Sequence, residues 1–245
     1  MNAPSIVFLH GGGTGPWSWG PVVERLTGFR CLVPALPDHG GNRTPFSMRA
    51  AVNEVAELIR QEAGGRAHVV GLSLGGQVGL ALLAAHPSLV ARAVLSGVLV
   101  RRMLMAPLVV PFGWLVWPLK AWEPGVKASF ARLELPAEHY PAFLGDARAL
   151  TFPAFRRMMT ANLGFRLPEG AKRIETPTLV VAGAKEPGIV RASARDIVAR
   201  CPGVRGAIVA GMGHAWNLQA PALFADTVRA WIEGAALPAG VVALT

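Results

Sequence analysis

Lysine, tyrosine and cysteine are scarce in this chain of 245 residues, and long runs of one charge are absent. Only four of the 24 basic residues are lysines, and the sequence holds one tyrosine and two cysteines. The arginines are scattered and no nucleic-acid-binding motif occurs, so the formal net charge of +9 does not indicate a nucleic-acid partner. A modest attraction to anionic surfaces is all that this charge predicts.

The two cysteines, Cys31 and Cys201, lie far apart in the sequence and belong to no Cys-x-x-Cys or Cys/His group. This spacing argues against a zinc site and a disulfide framework, and it predicts reduced thiols, as in cytoplasmic proteins. The first apolar run, 6–9, is too short for a signal peptide and follows no basic segment. We therefore expect a cytoplasmic protein that needs neither a metal ion nor a cofactor.

Long apolar runs are also few, although 52% of the residues are hydrophobic and only 16% are charged. The most apolar stretch, residues 103–119, is near the lower length limit for a membrane span, which is about 17 residues. Three prolines and a glycine interrupt it. We expect this stretch to be a cap segment that lines an apolar pocket, with a segment lying at a membrane surface and a membrane-spanning helix as the alternatives.

Short apolar runs alternate with segments of helical spacing along most of the chain, which predicts βαβ units and a mostly parallel sheet buried on both faces. The predicted strands are 6–9, 31–33, 67–70, 93–96, 178–181 and 207–209, and the predicted helices are 17–27, 47–62, 74–86, 190–200 and 219–233. The alternation stops in a stretch rich in proline and tryptophan. The prediction is an α/β core formed by residues 1–97 and 174–245, with a helical cap formed by residues 98–173.

A Gly-x-Ser-x-Gly motif, residues 71–75, follows the third predicted strand and opens a predicted helix. In this setting the serine sits on a sharp strand-to-helix turn, with its hydroxyl above the sheet and glycines that allow close packing around it. Backbone N–H groups at the start of the helix face the same place. The motif and its setting predict that Ser73 is a nucleophile.

A serine hydroxyl needs a base, and the base needs a carboxylate that fixes its tautomer. His214 follows the sixth predicted strand, and Glu186 is the first acidic residue after the fifth, so both are expected at the carboxyl edge of the sheet. The chain order Ser73, Glu186, His214 is one of the known triad orders. The alternative for Glu186 is a surface acid paired with Lys185.

Three glycines follow His10 at the end of the first predicted strand. Glycines at this place can expose backbone N–H groups, and the residue after the nucleophile supplies another. We therefore expect an oxyanion hole formed by the N–H groups of Gly12 and Leu74. His10 is expected to order the loop, and a plain glycine-rich turn is the alternative.

Together these motifs resemble those of the α/β-hydrolase superfamily over nearly the whole chain outside the cap. The matching segments are His10-Gly11-Gly12, residues 71–76, Glu186 and Gly213-His214. The opening segment, residues 10–19, also resembles that of small plant-type methylesterases and hydroxynitrile lyases. The resemblance implies an esterase-type triad, the Gly12/Leu74 oxyanion hole and a cap that shapes substrate choice. Many members carry Asp where this chain has Glu186.

The expected activity is hydrolysis of a carboxylic ester of a small to medium, largely apolar substrate through an acyl-enzyme. The alternatives are a lactone, thioester or C–C bond hydrolase on the same triad, and a non-catalytic receptor on the same scaffold. The expected partner is a small-molecule ester substrate, with contact to a membrane surface as the alternative, and the sequence does not indicate an oligomeric state. Candidates for the pocket wall, with packing inside the cap as their alternative role, are Met105, Phe112, Trp114 and Trp117.

Overall fold

The structure, a computed structural model, describes residues 3–103, 117 and 122–244. A seven-stranded sheet forms its centre, with strands β1 to β7 at Ser5–Leu9, Arg30–Leu32, Ala67–Leu72, Val90–Ser96, Thr178–Gly183, Val204–Val209 and Val241–Ala243. The strand order is β2-β1-β3-β4-β5-β6-β7, and all neighbours are parallel except β6 and β7. The predicted α/β fold with a mostly parallel sheet is thereby confirmed.

Nine α-helices are assigned in the described residues. Helices α1 to α9 are Gly20–Val23, Met48–Glu62, Leu74–Ala85, Glu123–Arg132, Tyr140–Ala149, Phe152–Gly164, Gly188–Arg200, Trp216–Gln219 and Pro221–Glu233. Short 3₁₀ turns occur at Pro16–Trp19, Pro87–Leu89, Ala137–His139 and Glu169–Arg173. In the described part of the chain, no helix is long and apolar enough to cross a membrane.

Both faces of the sheet are buried, because successive residues of a strand point to opposite sides. In β1, Val7 and Leu9 belong to one apolar cluster, which α2, α3 and α7 cover. Ile6 and Phe8 belong to a second cluster, in which Trp19, Trp216 and Phe224 pack from the opposite side. This two-sided burial explains why the strands read as continuous apolar runs.

The segment between β4 and β5 contains α4, α5 and α6, a helical insertion in the region where the sequence predicts a cap, and we call these helices and their connecting turns the cap. Its prolines mark helix starts: Pro124, Pro141 and Pro153 each lie in the first turn of one of these helices. Proline is tolerated there because the first N–H groups of a helix have no partner within it. The division into residues 1–97 with 174–245 and residues 98–173 stays a prediction.

Polar contacts join the cap to the loops of the core. Arg157 of α6 forms two hydrogen bonds of 2.8 Å with the carboxylate of Asp38. The indole Nε1 of Trp17 donates to Oδ2 of Asp146 in α5 at 2.6 Å. The Arg157 guanidinium holds the pKa of Asp38 below its usual range, whereas burial raises the pKa of Asp146.

Two elements differ from the sequence prediction. Residues 17–27 do not form one helix but a 3₁₀ turn followed by the four residues of α1, because Pro21 has no N–H to donate within a continuous helix. Strand β7 was not predicted, since only its antiparallel pairing with β6 distinguishes its three residues from a loop.

Candidate active site

Ser73 occupies the sharp turn between β3 and α3. Its backbone angles are φ 54° and ψ −114°, a conformation that a residue with a side chain rarely adopts. Neighbouring elements hold the turn on both sides. The N–H of Ser73 donates to the carbonyl of Ser96 at 2.8 Å, and its carbonyl accepts from the N–H of Gln77 at 3.0 Å. The hydroxyl is therefore carried by a strained turn that β4 and α3 fix in place.

The glycines of the motif allow the strands and the helix to approach closely. A Cβ built on Gly71 would lie 2.5 Å from the carbonyl oxygen of Gly75, and one built on Gly75 would overlap the carbonyl of Leu9. Neither position has room for a side chain. This packing brings the start of α3 against the end of β1.

Glu186 and His214 form a hydrogen-bonded pair at the carboxyl edge of the sheet. Oε1 of Glu186 contacts Nδ1 of His214, and Oε2 accepts from the N–H of Gly183 at 2.8 Å. The Glu186 side chain is 1% exposed and that of His214 is 35% exposed. Since Nδ1 is occupied, Nε2 is the ring nitrogen left for a partner on the open side.

The alternative role of Glu186, a surface acid paired with Lys185, does not match this geometry. Lys185 instead forms an ion pair of 3.1 Å with Glu134 of the cap. The side chain of Arg191 holds the loop that carries Glu186, because its Nη1 donates to the carbonyls of Ala184, at 3.0 Å, and of Glu186. Asp196 lies on α7 and pairs with Arg101 at 2.6 Å, away from the histidine.

Gly97, directly after β4, was not singled out by its sequence, but it contacts both members of the pair. A Cβ built on Gly97 would lie 2.7 Å from Cε1 of His214 and 3.2 Å from Oε1 of Glu186. The backbone of Gly97 has a positive φ of 65°, which glycine adopts without strain. Its N–H donates to the carbonyl of Val181 at 2.9 Å.

Two buried histidines order the glycine loop after β1. Nε2 of His10 accepts from the N–H of Leu36 at 3.0 Å, and Nε2 of His39 accepts from the N–H of Gly13 at 3.1 Å. Burial lowers the pKa of His10 to about 3 and also lowers the pKa of His39. Both rings are therefore neutral near pH 7 and act as hydrogen-bond acceptors.

Two amides near Ser73, one in the glycine loop and one at the start of α3, are without an acceptor in the described part of the chain. The N–H of Gly13 is taken by His39, whereas no acceptor is found among the described residues for the N–H of Gly12 or of Leu74. Gly12 lies close to the start of α3, since a Cβ on it would be 3.5 Å from Cδ2 of Leu74. These are the two amides that the sequence predicts for an oxyanion hole.

A cavity of about 480 Å³ brings Gly12, Ser73 and His214 together. Trp117, predicted from the sequence for the pocket wall, lines it, while Met105, Phe112 and Trp114 lie outside the described residues. The cap supplies further apolar wall residues that the sequence analysis did not single out, namely Leu133, Leu135, Phe143, Leu150, Phe155 and Met158. Their helical segments carried no motif, so only the folded cap reveals them.

A second cavity of about 520 Å³ shares Gly13 and Leu150 with the first but contains none of the predicted catalytic residues. Two of its polar side chains are engaged within the protein: Asp38 with Arg157, and His39 with Gly13. In the ranges that the structure describes, no group of three or more His, Cys, Asp or Glu side chains could hold a metal ion.

Comparison with known proteins agrees with this architecture. Residues 6–227 match the model of a family described as "Alpha/beta hydrolase family". An "AB hydrolase superfamily protein" of Gibberella zeae is 34% identical over 250 residues, which cover 96% of this chain and 82% of that protein.

Two further similarities concern proteins with named activities. A "Pimeloyl-[acyl-carrier protein] methyl ester esterase" of Aromatoleum aromaticum is 43% identical over 98 residues, which cover 40% of this chain and 38% of the esterase. The crystal structure of the enol-lactonase from Burkholderia xenovorans LB400 superposes with a TM-score of 0.75 and 26% identity. That alignment covers 95% of this chain and 92% of the enol-lactonase.

Proposed function

This chain belongs to the alpha/beta hydrolase family, and on that premise we propose that it is a serine hydrolase of carboxylic esters. The substrate class is a small to medium, largely apolar ester. One observation carries the proposal: the strained Ser73 turn and the His214–Glu186 pair open into the same apolar cavity. The similarity to a methyl ester esterase over part of the chain supports ester cleavage.

In the first half of the proposed reaction, Nε2 of His214 takes the proton of the Ser73 hydroxyl as its oxygen attacks the ester carbonyl. Glu186 accepts a hydrogen bond from Nδ1 and stabilises the imidazolium that forms. The N–H groups of Gly12 and Leu74 donate to the oxyanion of the tetrahedral intermediate. The intermediate collapses, the C–O bond to the alcohol breaks, and His214 gives its proton to the leaving alcohol.

In the second half, a water molecule replaces the alcohol. His214 takes a proton from this water, and the resulting hydroxide attacks the acyl carbonyl of Ser73. The second tetrahedral intermediate uses the same two amides. Its collapse breaks the bond to Ser73 Oγ, which recovers its proton from His214, and the carboxylic acid leaves.

The cavity lining favours a neutral substrate. Among its described lining residues there is no Asp, Glu, Lys or Arg, and most are apolar. The hydroxyls of Thr14 and Ser18 on its wall donate to the carbonyls of Gly11 and Gly15, so they offer only acceptor lone pairs to a ligand. A charged group bound there would lose its hydration without gaining, among the described lining residues, an Asp, Glu, Lys or Arg side chain of opposite charge.

A second candidate is opening of a lactone, which is an ester closed into a ring. The observation in its favour is the similarity to an enol-lactonase along 95% of this chain. The same residues would act, and the alcohol would stay attached to the acid after release. Thioesters and C–C bonds between carbonyl groups are the remaining alternatives that the same arrangement could attack.

The decisive experiment is a panel of p-nitrophenyl esters, lactones, thioesters and diketones assayed with the wild type and with Ser73→Ala. Wild-type hydrolysis of short esters and at least a thousandfold lower rate in Ser73→Ala are expected, since removing a triad member costs about that much or more. Ser129→Ala is the matched control, because its hydroxyl also lines the cavity but donates to the carbonyl of Gly125 at 3.0 Å.

A fluorophosphonate probe should label the wild type and Ser129→Ala but not Ser73→Ala. If Ser73→Ala hydrolysed esters at the wild-type rate, the nucleophile assignment would be wrong. If the wild type were labelled but cleaved only lactones, the second candidate would replace the first. Labelling without turnover of any substrate in the panel would favour a receptor on this scaffold.

A further inference from the structure

Gln219 connects the loop of His214 to the cap. It ends helix α8, and its side chain is half-buried. Oε1 accepts from the N–H of Gly213, next to the histidine, at 3.2 Å. Nε2 donates to the carbonyl of Leu133, at the end of cap helix α4, at 2.7 Å. The neutral amide of Gln219 thus pairs with the N–H of Gly213 in the loop of His214 and with the carbonyl of Leu133 in the cap.

The residue on the cap side of this bridge belongs to the cavity. The side chain of Leu133 lines the cavity that contains Ser73 and His214. The next residue, Glu134, has a positive φ of 52° and forms an ion pair with Lys185, directly before Glu186. The cap turn at residues 133–134 is therefore linked both to the loop of His214, through Gln219, and to the loop of Glu186, through Lys185.

These two loops also pack against each other. The N–H of Lys185 donates to the carbonyl of Met212 at 2.9 Å. A Cβ built on Gly183 would lie 2.5 Å from that same carbonyl oxygen and 2.6 Å from that of Gly213. With no space between the loops, a shift of one is transmitted to the other.

The two polar links to the cap turn, the Lys185–Glu134 ion pair and the Gln219 bridge, differ in strength. The Lys185–Glu134 pair is more than half exposed on both sides, and exposed ion pairs contribute little because water and salt screen them. The Gln219 bridge is half-buried and joins two backbone groups directly. It is therefore the stronger polar connection between the cap wall and the histidine loop.

We propose that Gln219 is a positioning residue that sets the place of His214 relative to the cap wall. The proposal rests on the proposed function, since it concerns the base of that reaction. Through the two hydrogen bonds of Gln219, the position of Leu133 against a bound substrate is coupled to the position of His214 relative to Ser73. A substrate that fills the cavity under the cap thus favours the loop position in which the base is aligned.

The side-chain chemistry suggests three informative variants. Gln219→Ala removes both hydrogen bonds. Gln219→Glu keeps an acceptor for Gly213, but its ionised carboxylate faces the carbonyl of Leu133 without a proton to donate. Protonation of this carboxylate restores a donor to the carbonyl of Leu133. Glu134→Gln breaks only the exposed ion pair and is the matched control.

In Gln219→Ala, kcat for p-nitrophenyl butyrate should fall about tenfold while KM changes less than about twofold, because misplacing the base slows chemistry without removing ground-state contacts. In Gln219→Glu, the kcat ratio to the wild type should rise about two- to threefold between pH 8 and pH 5, because about a sixth of a carboxyl with the ordinary pKa of about 4.3 is protonated at pH 5. Glu134→Gln should stay within about twofold of the wild type.

A readout independent of turnover is the hydrogen exchange of the Gly213 amide. It should exchange about tenfold faster in Gln219→Ala than in the wild type, because its acceptor is gone. Melting temperatures identify a variant that fails to fold, in which case Gln219→Glu carries the test. Wild-type kcat with unchanged Gly213 exchange in folded Gln219 variants would overturn the inference. An inactive, unlabelled wild type would instead overturn the proposed function, and Gly213 exchange would still test the bridge.

Discussion

Gly97 packs directly against the imidazole of His214, so that a Cβ on residue 97 would lie 2.7 Å from Cε1 and 2.9 Å from Nδ1. Contacts between carbon atoms normally begin at about 3.5 Å. The histidine loop and the end of β4 are therefore closer together than any side chain at position 97 permits. Gly97, which has no side chain, thus helps to determine the position of His214, the proposed base.

The first prediction concerns Gly97→Ala. The new methyl group would push His214 away from Glu186 and Ser73, and kcat should fall at least a hundredfold, as for displacements of about 1 Å. Gly64→Ala is the matched control, because Gly64 has a nearly equal φ of 64° but no atoms within 4 Å of its Cβ position. Both variants should lose about 1 kcal/mol of stability from the left-handed backbone. Only Gly97→Ala should lose turnover, and equal kcat values in the two variants would contradict the steric argument.

The second prediction concerns Glu186→Gln. The amide keeps the size of the carboxylate but cannot stabilise an imidazolium, and its nitrogen favours the wrong tautomer of His214. Steady-state kinetics should show a kcat lower by about 10²–10⁴-fold with KM nearly unchanged. Glu134→Gln, the same substitution at an exposed site, should keep full activity. An unchanged rate in Glu186→Gln would point to another acid.

The third prediction concerns the size of the substrate. Phe155 lines the cavity, whereas Phe152, on the same helix, stacks on Phe155 and does not line it. In Phe155→Ala the enlarged cavity should shift the best p-nitrophenyl ester from short to longer acyl chains, by about 10-fold in relative kcat/KM. Phe152→Ala should lose stability through the same packing cluster without this shift. Identical chain-length profiles would show that the acyl group binds elsewhere.

The fourth prediction concerns acid stability. Burial lowers the pKa of His10 from its ordinary value of 6.5 to about 3, so below pH 6.5 the unfolded chain takes up a proton that the folded chain does not. Stability is therefore complete above that pH and declines as the pH falls towards about 3. The contribution of His10 is at most about 1.4 kcal/mol per pH unit.

Urea unfolding of the wild type and His10→Gln at pH 7, 5.5 and 4.5 measures this slope. The variant should be less stable at pH 7, where the ring accepts from Leu36, but its stability should depend less on pH. A variant curve parallel to that of the wild type would show that His10 is not the group responsible. His39, whose pKa burial also lowers, then becomes the next residue to replace.

Much of the fold was predictable because burial on both faces leaves a simple pattern. Strands such as β3 and β5 are short apolar runs followed by glycine, which the sequence displays directly. The residues at which strands end could not be predicted in this way, because they depend on pairing with a neighbouring strand. Strand β5 continues to Gly183 through its pairing with β6, and residue type alone does not show where such pairing stops. Strand β7 exists only because β6 offers it an edge.

The site was predictable to the extent that its residues follow strands. Ser73, Glu186 and His214 each come after a strand that ends at the same edge, so chain order and topology bring them together. Gly97 and Gln219 could not be found in this way. A glycine and a glutamine have no chemistry that marks them, and their contacts with the His214 loop depend on distances that only the folded chain defines.

The order of the strands has a consequence for the behaviour of many copies of this protein together. Both outer strands, β2 and β7, are three residues long, although the inner strands reach seven. An outer strand with few unpaired N–H and C=O groups gives another chain little to hydrogen-bond with. At the start of β2, Arg30 also pairs with Glu62, which places charges beside one edge. The apolar inner strands of the described sheet are thus paired on both sides, where a neighbouring molecule cannot extend them.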